Sequence, residues 1–217
     1  MLINSVSAIR ATTETERQNA IDVLSETYLN EKHWVKDEGT LFPESDLGDN
    51  SVSWFVAHVG GRPAGVVRVL YDPPLEVYAS YGFQTLRAGL DVGAFVRENR
   101  IAEIGRFAVR RRYRNRISVV AALMRTATEE AVRREYTHYI TDVFEGEAHS
   151  PYEFHTRVIG FQPVATHDTG ELNCPYRRIT LVLNLKEAYN RLRQTRRQVY
   201  QFLTKGWDEA LHQKLSS

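Results

Sequence analysis

The chain has 217 residues, of which 42% are hydrophobic and 25% charged, and its net charge is +1 at pH 7. This length suits one domain with a substantial core, and the near-neutral charge predicts no general attraction to nucleic acid or to a membrane surface. The single cysteine, Cys174, excludes an intramolecular disulfide and a thiolate-rich metal site. No stretch has the pattern of a secretory leader or a membrane span, so we expect a cytoplasmic protein.

The first third of the chain predicts a strand, a helix and a hairpin. Residues 5–10 predict a short strand, and residues 11–34 predict a helix with threonines near its start and an apolar face. Valine, tryptophan and phenylalanine favour a strand over residues 51–59. Gly60-Gly61 then predicts a tight turn into a second strand over residues 63–70.

The remaining elements are shorter, apart from the last one. They are predicted over residues 75–90 (helix), 137–144 (strand), 152–158 (helix), 161–165 (strand) and 178–185 (strand). From Lys186 onward an apolar stripe predicts one long basic helix. Docking on its own domain is the preferred interpretation of this helix, ahead of dimer pairing or contact with a membrane surface. We therefore divide the chain into a domain, 1–185, and a C-terminal amphipathic helix, 186–217.

The most informative stretch is residues 101–135. Its apolar start, 101–109, predicts a buried strand, and five arginines then occur within the seven residues 110–116. An amphipathic helical pattern begins at Ile117. The N-terminus of a helix offers unpaired N–H groups and the positive end of the helix dipole, and arginine adds a permanent charge that fits phosphate oxygens. The stretch therefore predicts an anion site between a strand and a helix.

The sequence Val109–Arg114 reads Val-x-x-x-Tyr-Arg and resembles motif A of the GNAT N-acyltransferase superfamily, whose loop holds the pantetheine phosphates of an acyl donor. The order of elements over about residues 5–185 is also similar to the GNAT fold. The resemblance implies an α/β fold with a central mixed, mostly antiparallel sheet and helices on both faces. Enzymes that use acetyl-CoA have glycines where this chain has Ile117 and Val119, and β-branched residues keep a backbone further from a pyrophosphate.

A narrower resemblance comes from residues 102–109, AEIGRFAV, which are similar to the Glu-x-Ser-Arg-Phe-x-Val motif of acyl-homoserine-lactone synthases, with Gly105 in place of serine. Residues 65–68 resemble a Gly-x-x-Arg motif shared by those enzymes and long-chain N-acyl amino acid synthases. Residues 73–90 resemble the amino acid synthases more. The resemblance implies acyl carrier protein as the donor, through its 4'-phosphopantetheine, or acyl-CoA, and a small amine such as an amino acid as the acceptor.

Glu103 is the candidate general base, because a carboxylate in an apolar strand needs a reason to be there. The alternative is an ion pair with Arg106 or Arg68. For each arginine, binding of the acceptor's carboxylate is weighed against ion pairing, and Arg106 is also a candidate to contact the carrier. Tyr28 and Trp34 keep the spacing of an aromatic pair in the lactone synthases and complete the predicted acceptor site.

The general acid is less well defined. GNAT enzymes often carry a tyrosine at the position of Thr156, so His149, Tyr152 and His155 are the nearby substitutes, and a thiolate leaving group needs no acid at all. The residues predicted to hold the donor are Phe107, Val109, Arg110, Arg111, Arg114, Asn115 and Arg116. No histidine spacing predicts a metal site.

These features predict an N-acyltransferase that moves a fatty acyl group from acyl carrier protein to a small amine. Three alternatives stay open: an acetyl-CoA-dependent GNAT enzyme, a lactone synthase that uses S-adenosylmethionine, and a carrier-binding module without activity. The lactone synthase is disfavoured, because lactone synthases have serine where this chain has Gly105 and arginine where it has Leu24. Nucleic-acid binding is disfavoured, because Tyr113 is the one aromatic residue among the arginines.

Overall fold

The computed structural model describes residues 5–74, 80–89, 91–148 and 150–216. By its contacts the chain divides into two compact units, the first formed by residues 1–70 with 105–130 and the second by residues 71–104 with 131–217. The strands are β1 (Val6–Arg10), β2 (Val52–Val59), β3 (Arg62–Tyr71), β4 (Gln84–Thr85), β5 (Ile101–Val109), β6 (His138–Phe144), β7 (Gln162–His167) and β8 (Arg178–Asn184). The α-helices are α1 (Glu14–Leu24), α2 (Val92–Glu98), α3 (Ile117–Arg133), α4 (Leu185–Thr195), α5 (Arg197–Leu203) and α6 (Glu209–Ser216). Two π-helical segments, Ser25–Glu31 and Phe154–Ile159, and short 3₁₀ turns complete the elements.

The first unit contains the predicted hairpin. β1 pairs antiparallel with β2, with Val6 opposite Val59, and β2 pairs antiparallel with β3. Gly60 and Gly61 connect β2 to β3 with φ of 57° and 78°, a left-handed backbone that glycine adopts without strain. The hairpin predicted from the glycine pair is confirmed.

The helix predicted over residues 11–34 is α1 followed by a wider π-helical segment. Thr13 and Glu16 form a capping box, in which the Glu16 N–H donates to the Thr13 hydroxyl at 3.3 Å and the Thr13 N–H donates to the Glu16 carboxylate at 2.9 Å. The helical backbone ends after Ser25–Glu31. Trp34 therefore lies beyond the helix, with its N–H donating to the Tyr28 carbonyl at 2.7 Å.

The second unit holds the other side of the sheet. β5 pairs parallel with β6 over Ile101–Glu103, β8 pairs antiparallel with both β6 and β7, and β4 pairs with β7. The hydrogen-bonded order of the strands is β1-β2-β3-β5-β6-β8-β7-β4. Antiparallel pairs outnumber the parallel pair, so the predicted α/β fold with a mixed, mostly antiparallel sheet is confirmed.

One helix prediction was wrong in part, and one helix was not predicted. The helix predicted over residues 75–90 includes residues 75–79 and 90, which lie outside the described residues, while Gln84–Thr85 forms β4 rather than a helical turn. The helix α2, which begins where the Asp91 carboxylate accepts from the Ala94 N–H at 2.9 Å, was not predicted.

The C-terminal segment is three helices instead of one. The helical backbone is interrupted at Arg196, with φ −137° and ψ 54°, and again around Gly206, with φ 85°. Arg191 of α4 donates to the Val158 carbonyl at 2.7 Å, and Asp208 pairs with Arg133 at 2.7 Å. These contacts show that the segment docks on the second unit, of which it is a part.

Candidate active site

The loop between β5 and α3 is held closed by Arg114. Its Nε donates to the Val109 carbonyl at 3.1 Å, and its two terminal nitrogens donate to the two carboxylate oxygens of Glu31, one of them at 2.6 Å. These hydrogen bonds from Arg114 lower the pKa of Glu31 below its usual value. Arg114 was predicted to bind the donor, but its guanidinium makes a structural clamp within the first unit.

Arg110 has a similar environment. Its backbone N–H donates to the Ala64 carbonyl at 2.9 Å, and its Nε lies 3.3 Å from a carboxylate oxygen of Glu26. Glu26 and Glu31 both belong to the π-helical segment, so this segment neutralises two of the five loop arginines. Sequence spacing does not reveal these partners, because they precede the loop by about 80 positions.

The other arginines of the loop are exposed. Arg112 and Arg116 lie over the ring of Tyr113, at 4.8 Å and 5.7 Å from its centroid. Within the described part of the chain no carboxylate lies at ion-pair distance from Arg111, Arg112 or Arg116. Asn115 is exposed beside them. The positive charge that the loop offers to a ligand is therefore carried by these three side chains.

The two positions that hold glycine in acetyl-CoA enzymes have different environments here. Ile117, at the first turn of α3, is 65% exposed, whereas Val119 is fully buried. A Cβ added at Gly65 of β3 would lie 3.0 Å from Val119 Cγ1 and 3.1 Å from both the Ala108 carbonyl oxygen and Leu123 Cδ1. Gly65 thus makes room for Val119, which explains the glycine of the Gly-x-x-Arg motif by packing.

Tyr28 and Trp34, predicted to form part of the acceptor site, are buried neighbours. Their ring centroids are 5.5 Å apart, and the Tyr28 hydroxyl donates to the Phe107 carbonyl of β5 at 3.0 Å. Lys32 Nζ lies 4.2 Å from the centroid of the Trp34 ring. The contact to Phe107 connects the π-helical segment to the strand that precedes the arginine-rich loop. Their role in binding an acceptor stays a prediction.

The backbone of β5 becomes irregular after Glu103. Its backbone pairing with β6 ends at Glu103, and the buried Thr141 hydroxyl of β6 donates to the next carbonyl, that of Ile104, at 2.8 Å. Arg106 then has φ of 48°, which is unusual for a non-glycine residue inside a strand. Burial alternates along the strand. It places Arg106 among the buried residues and leaves Glu103, with Phe107 and Val109, half-buried. Arg68 of β3 is also half-buried.

Glu103 lies in a mixed apolar and charged environment in the second unit. Its neighbours Ile101 and Ile140 are buried against an apolar cluster, whose other members are Tyr81, Phe83, Phe95 and Val182. Burial raises the pKa of the Tyr81 phenol, and the charges of Glu171, Glu103 and Asp142 raise it further. Glu103 and Asp142 therefore act on the same phenol, a proximity that sequence spacing did not predict.

The three candidate general acids differ in their surroundings. His149 lies outside the described residues. His155 Nδ1 donates to the Pro151 carbonyl at 2.9 Å, and burial lowers the pKa of His155, so it is neutral and engaged. Tyr152 lines a cavity of about 380 Å³ together with Phe144, Glu145, Gly146, Glu147, Ser150, Glu153 and Ile179. Tyr152 is therefore the candidate that the structure leaves beside an open space.

The described residues contain neither a metal-binding cluster nor a membrane-spanning helix. No group of histidine, cysteine, aspartate and glutamate side chains among them is arranged to hold a metal ion. None of the helices in the described part has both the length and the apolar composition needed to cross a bilayer.

The overall fold is the GNAT fold. The structure of FeeM, an N-acyl amino acid synthase from uncultured soil microbes, matches with a TM-score of 0.65 and 18% identity over 86% of this chain and 94% of that one. A putative GNAT acetyltransferase of Desulfovibrio desulfuricans matches with a TM-score of 0.57 and 12% identity over 83% and 99%. NAA60 of Arabidopsis thaliana, solved with acetyl-CoA, matches with a TM-score of 0.56 and 10% identity over 83% and 99%.

The family model of the N-acyl amino acid synthase FeeM matches residues 20–182, and the chain belongs to that family. A search of curated protein sequences found no match. Family membership and fold together make the protein an acyltransferase enzyme that forms an N-acyl product, which sets aside the carrier-binding module without activity.

Proposed function

We propose that the enzyme transfers a fatty acyl group from the phosphopantetheine thioester of acyl carrier protein to the amine of an amino acid. The observation that carries the choice of donor is the set of exposed arginines at the start of α3, Arg111, Arg112 and Arg116, which have no carboxylate at ion-pair distance among the described residues. An acidic carrier helix and a single phosphate both suit such a surface. Ile117 lies next to them and is exposed, so an apolar residue of the carrier has a contact there as well.

The proposed reaction is a direct attack on the thioester. The acceptor nitrogen forms a bond to the acyl carbon, the carbon–sulfur bond breaks, and Glu103 accepts the proton that the nitrogen loses. An α-amino group has a pKa of about 8, so a single carboxylate is a sufficient base. The departing thiolate takes a proton from Tyr152 or from water. The resemblance to GNAT enzymes implies that backbone groups of Phe107 and Val109 hold the pantetheine and polarise the thioester carbonyl.

The acceptor's carboxylate needs a cation, and Arg68 and Arg106 are the proposed partners. Each is partly or fully buried on a strand of the first unit, so a ligand carboxylate there would meet a permanent charge that is largely shielded from solvent. A planar carboxylate fits the arginine fork. This supports an acceptor with a free carboxylate, such as an amino acid.

Donor and acceptor are tested together. The purified enzyme is incubated with a pool of amino acids and with long-chain acyl carrier protein, long-chain acyl-CoA or acetyl-CoA, and the products are measured by mass spectrometry. We expect N-acyl amino acids from the carrier, with much less product from either coenzyme A thioester. Equal or better turnover with acyl-CoA would overturn the choice of donor, and product from acetyl-CoA alone would make the enzyme an acetyltransferase.

A further inference from the structure

Three residues of β6 lie on the same face of the sheet as Glu103 of β5. Glu103 of β5 is directly opposite Ile140. Because side chains alternate along a strand, the residues two positions before and after Ile140, His138 and Asp142, point to the same face. His138 and Asp142 therefore flank Glu103 symmetrically, one diagonal step away on either side, and Asp142 is a second carboxylate beside the proposed base.

Asp142 is held by two partners. The Thr180 hydroxyl of β8 donates to one of its carboxylate oxygens at 2.7 Å, in agreement with the register that places Thr180 opposite Asp142. The other oxygen lies 3.1 Å from Nε2 of His167, whose side chain is fully buried at the end of β7. Neither Asp142 nor His167 was predicted from the sequence to have a role.

The contacts of His167 determine its protonation. Its Nδ1 lies 2.7 Å from the Thr169 carbonyl, which only accepts, so Nδ1 carries a proton. Its Nε2 faces the Asp142 carboxylate, which also only accepts, so both nitrogens are donors in the imidazolium form alone. Burial lowers the pKa of His167, but the Asp142 carboxylate and the Thr169 carbonyl outweigh burial and raise the pKa above its ordinary value.

The charged and titratable groups around His167 come from several elements. They are Asp142 of β6, Arg178 of β8 and the Tyr81 ring, which stacks on the imidazole at 5.8 Å between centroids. Arg178 disfavours the imidazolium, but its guanidinium donates to the Asp168 and Leu172 carbonyls, at 2.8 Å and 2.6 Å, which engages its charge in the loop after β7. Glu103 and Glu171 act on Tyr81.

Two carboxylates on neighbouring positions of one sheet face disfavour each other's ionisation. An isolated Asp142 anion would therefore make Glu103 harder to ionise, and a protonated Glu103 cannot accept the amine proton. A buried imidazolium in contact with Asp142 cancels most of that effect, because the ion pair has no net charge.

We infer that His167 is a positioning residue for catalysis: its imidazolium compensates the charge of Asp142, so that Glu103 is ionised when it receives the proton of the acceptor amine. This inference rests on the proposed role of Glu103 as the base. It assigns the Asp142–His167 pair an electrostatic role that acts through Glu103 without touching the substrate.

The first test observes the carboxylate and the imidazole directly by NMR and does not need turnover. Glutamate labelled with ¹³C at the side-chain carboxyl reports the titration of Glu103, assigned through Glu103→Gln, and ¹⁵N-labelled histidine reports the charge of His167. We expect His167 to be an imidazolium at pH 7, and Glu103 to titrate about one pH unit higher in His167→Gln than in the wild type. A neutral His167 at pH 7 in the wild-type enzyme overturns the inference, whether or not any variant folds.

Two further variants separate charge from packing. Asp142→Asn/His167→Gln removes both members of the pair, so Glu103 should titrate close to its wild-type pH. His138→Gln is the matched control, since His138 holds the other diagonal position and burial lowers the pKa of His138, which makes it neutral. A Glu103 titration that shifts equally in His138→Gln, or that stays shifted in the double variant, would show a packing effect and overturn the inference.

The second test uses the pH dependence of kcat/KM. The acidic limb of the profile should move up by about one pH unit in His167→Gln, with at most a few-fold change at alkaline pH, and should return in the double variant. A loss of activity at every pH with an unmoved limb contradicts the inference. If the NMR shift is present and no acyl transfer occurs in the wild type, the electrostatic coupling holds and the proposed function fails.

Discussion

Glu103 is the only carboxylate on β5, and its replacement separates chemistry from binding. Glu103→Gln keeps the size and a hydrogen-bonding group but cannot accept a proton. We expect kcat to fall by about 100-fold or more, with the KM for the donor nearly unchanged, because a general base contributes to the transition state. Steady-state kinetics with saturating acceptor measure this. Glu98→Gln, an exposed carboxylate at the end of α2, is the control and should keep full activity. Unchanged turnover in Glu103→Gln would remove Glu103 from the mechanism.

Glycine is needed at position 65 because the neighbouring atoms leave no room for a Cβ, and not because of its backbone angles. Gly65→Ala places a methyl group 3.0 Å from Val119 Cγ1 and 3.1 Å from Leu123 Cδ1, closer than ordinary contact. Overpacking of this kind costs about 1–3 kcal/mol of the free energy of unfolding. Chemical denaturation of the purified variants measures it. Gly65→Ala/Val119→Ala should recover part of the loss. Gly39→Ala, in the short 3₁₀ turn Glu38–Thr40 where the nearest atom belongs to the exposed Asp37 side chain, should be nearly neutral. A neutral Gly65→Ala would contradict the packing argument.

At the scale of elements, local patterns predicted most of the sheet. β2, β3, β5 and β6 each carry a run of β-branched and aromatic residues, and such runs form strands whatever their partners. The prediction of one continuous C-terminal helix was wrong. The apolar stripe continues through the two interruptions, at Arg196 and Gly206. Hydrophobic periodicity does not detect a break that leaves the stripe in phase.

The candidate site was less predictable than the elements that form it. The arginine-rich loop was predicted to be an anion site. Which of its arginines remain available depends on Glu26 and Glu31, from an element that is distant in sequence. Likewise, Asp142 and Glu103 become neighbours only through strand register. Register and long-range ion pairs come from the tertiary fold, which composition and spacing do not contain.

The Arg114–Glu31 ion pair makes the stability of the fold depend on pH. Glu31 has a lowered pKa in the folded chain, so its pairing stabilises the fold above the ordinary glutamate value of 4.5 and is lost as the pH falls through the lowered value. Since the pair is partly exposed, we expect Glu31→Gln to lose about 1 kcal/mol or less at pH 7. Urea denaturation at pH 7 and pH 3.5 should show that difference shrinking at the lower pH. A difference that stays constant, or an equal one in the exposed Glu44→Gln, would mean that the charge pairing is not its source.

At the scale of the whole molecule, the net charge of +1 leaves no general attraction to an acidic partner. Attraction to acyl carrier protein would have to come from a local patch. The proposed patch is Arg111, Arg112 and Arg116, which are exposed and have no ion-pair partner in the described part of the chain. We expect their combined replacement by glutamine to raise the KM for acyl carrier protein by about 10-fold or more at low salt and to flatten its salt dependence, because screening acts on exposed charges. Kinetics over a range of NaCl concentrations measure both effects.

The chain offers a matched control for this patch in a second set of three exposed arginines, Arg193, Arg196 and Arg197. Their replacement by glutamine changes the net charge by the same amount. If the carrier is recognised by the loop, the control variant keeps a wild-type KM and salt dependence, and turnover with a short pantetheine thioester stays equal in both variants. An equal loss in both triple variants would show that only the total charge matters, and the loop would then lose its role as the docking surface for the carrier.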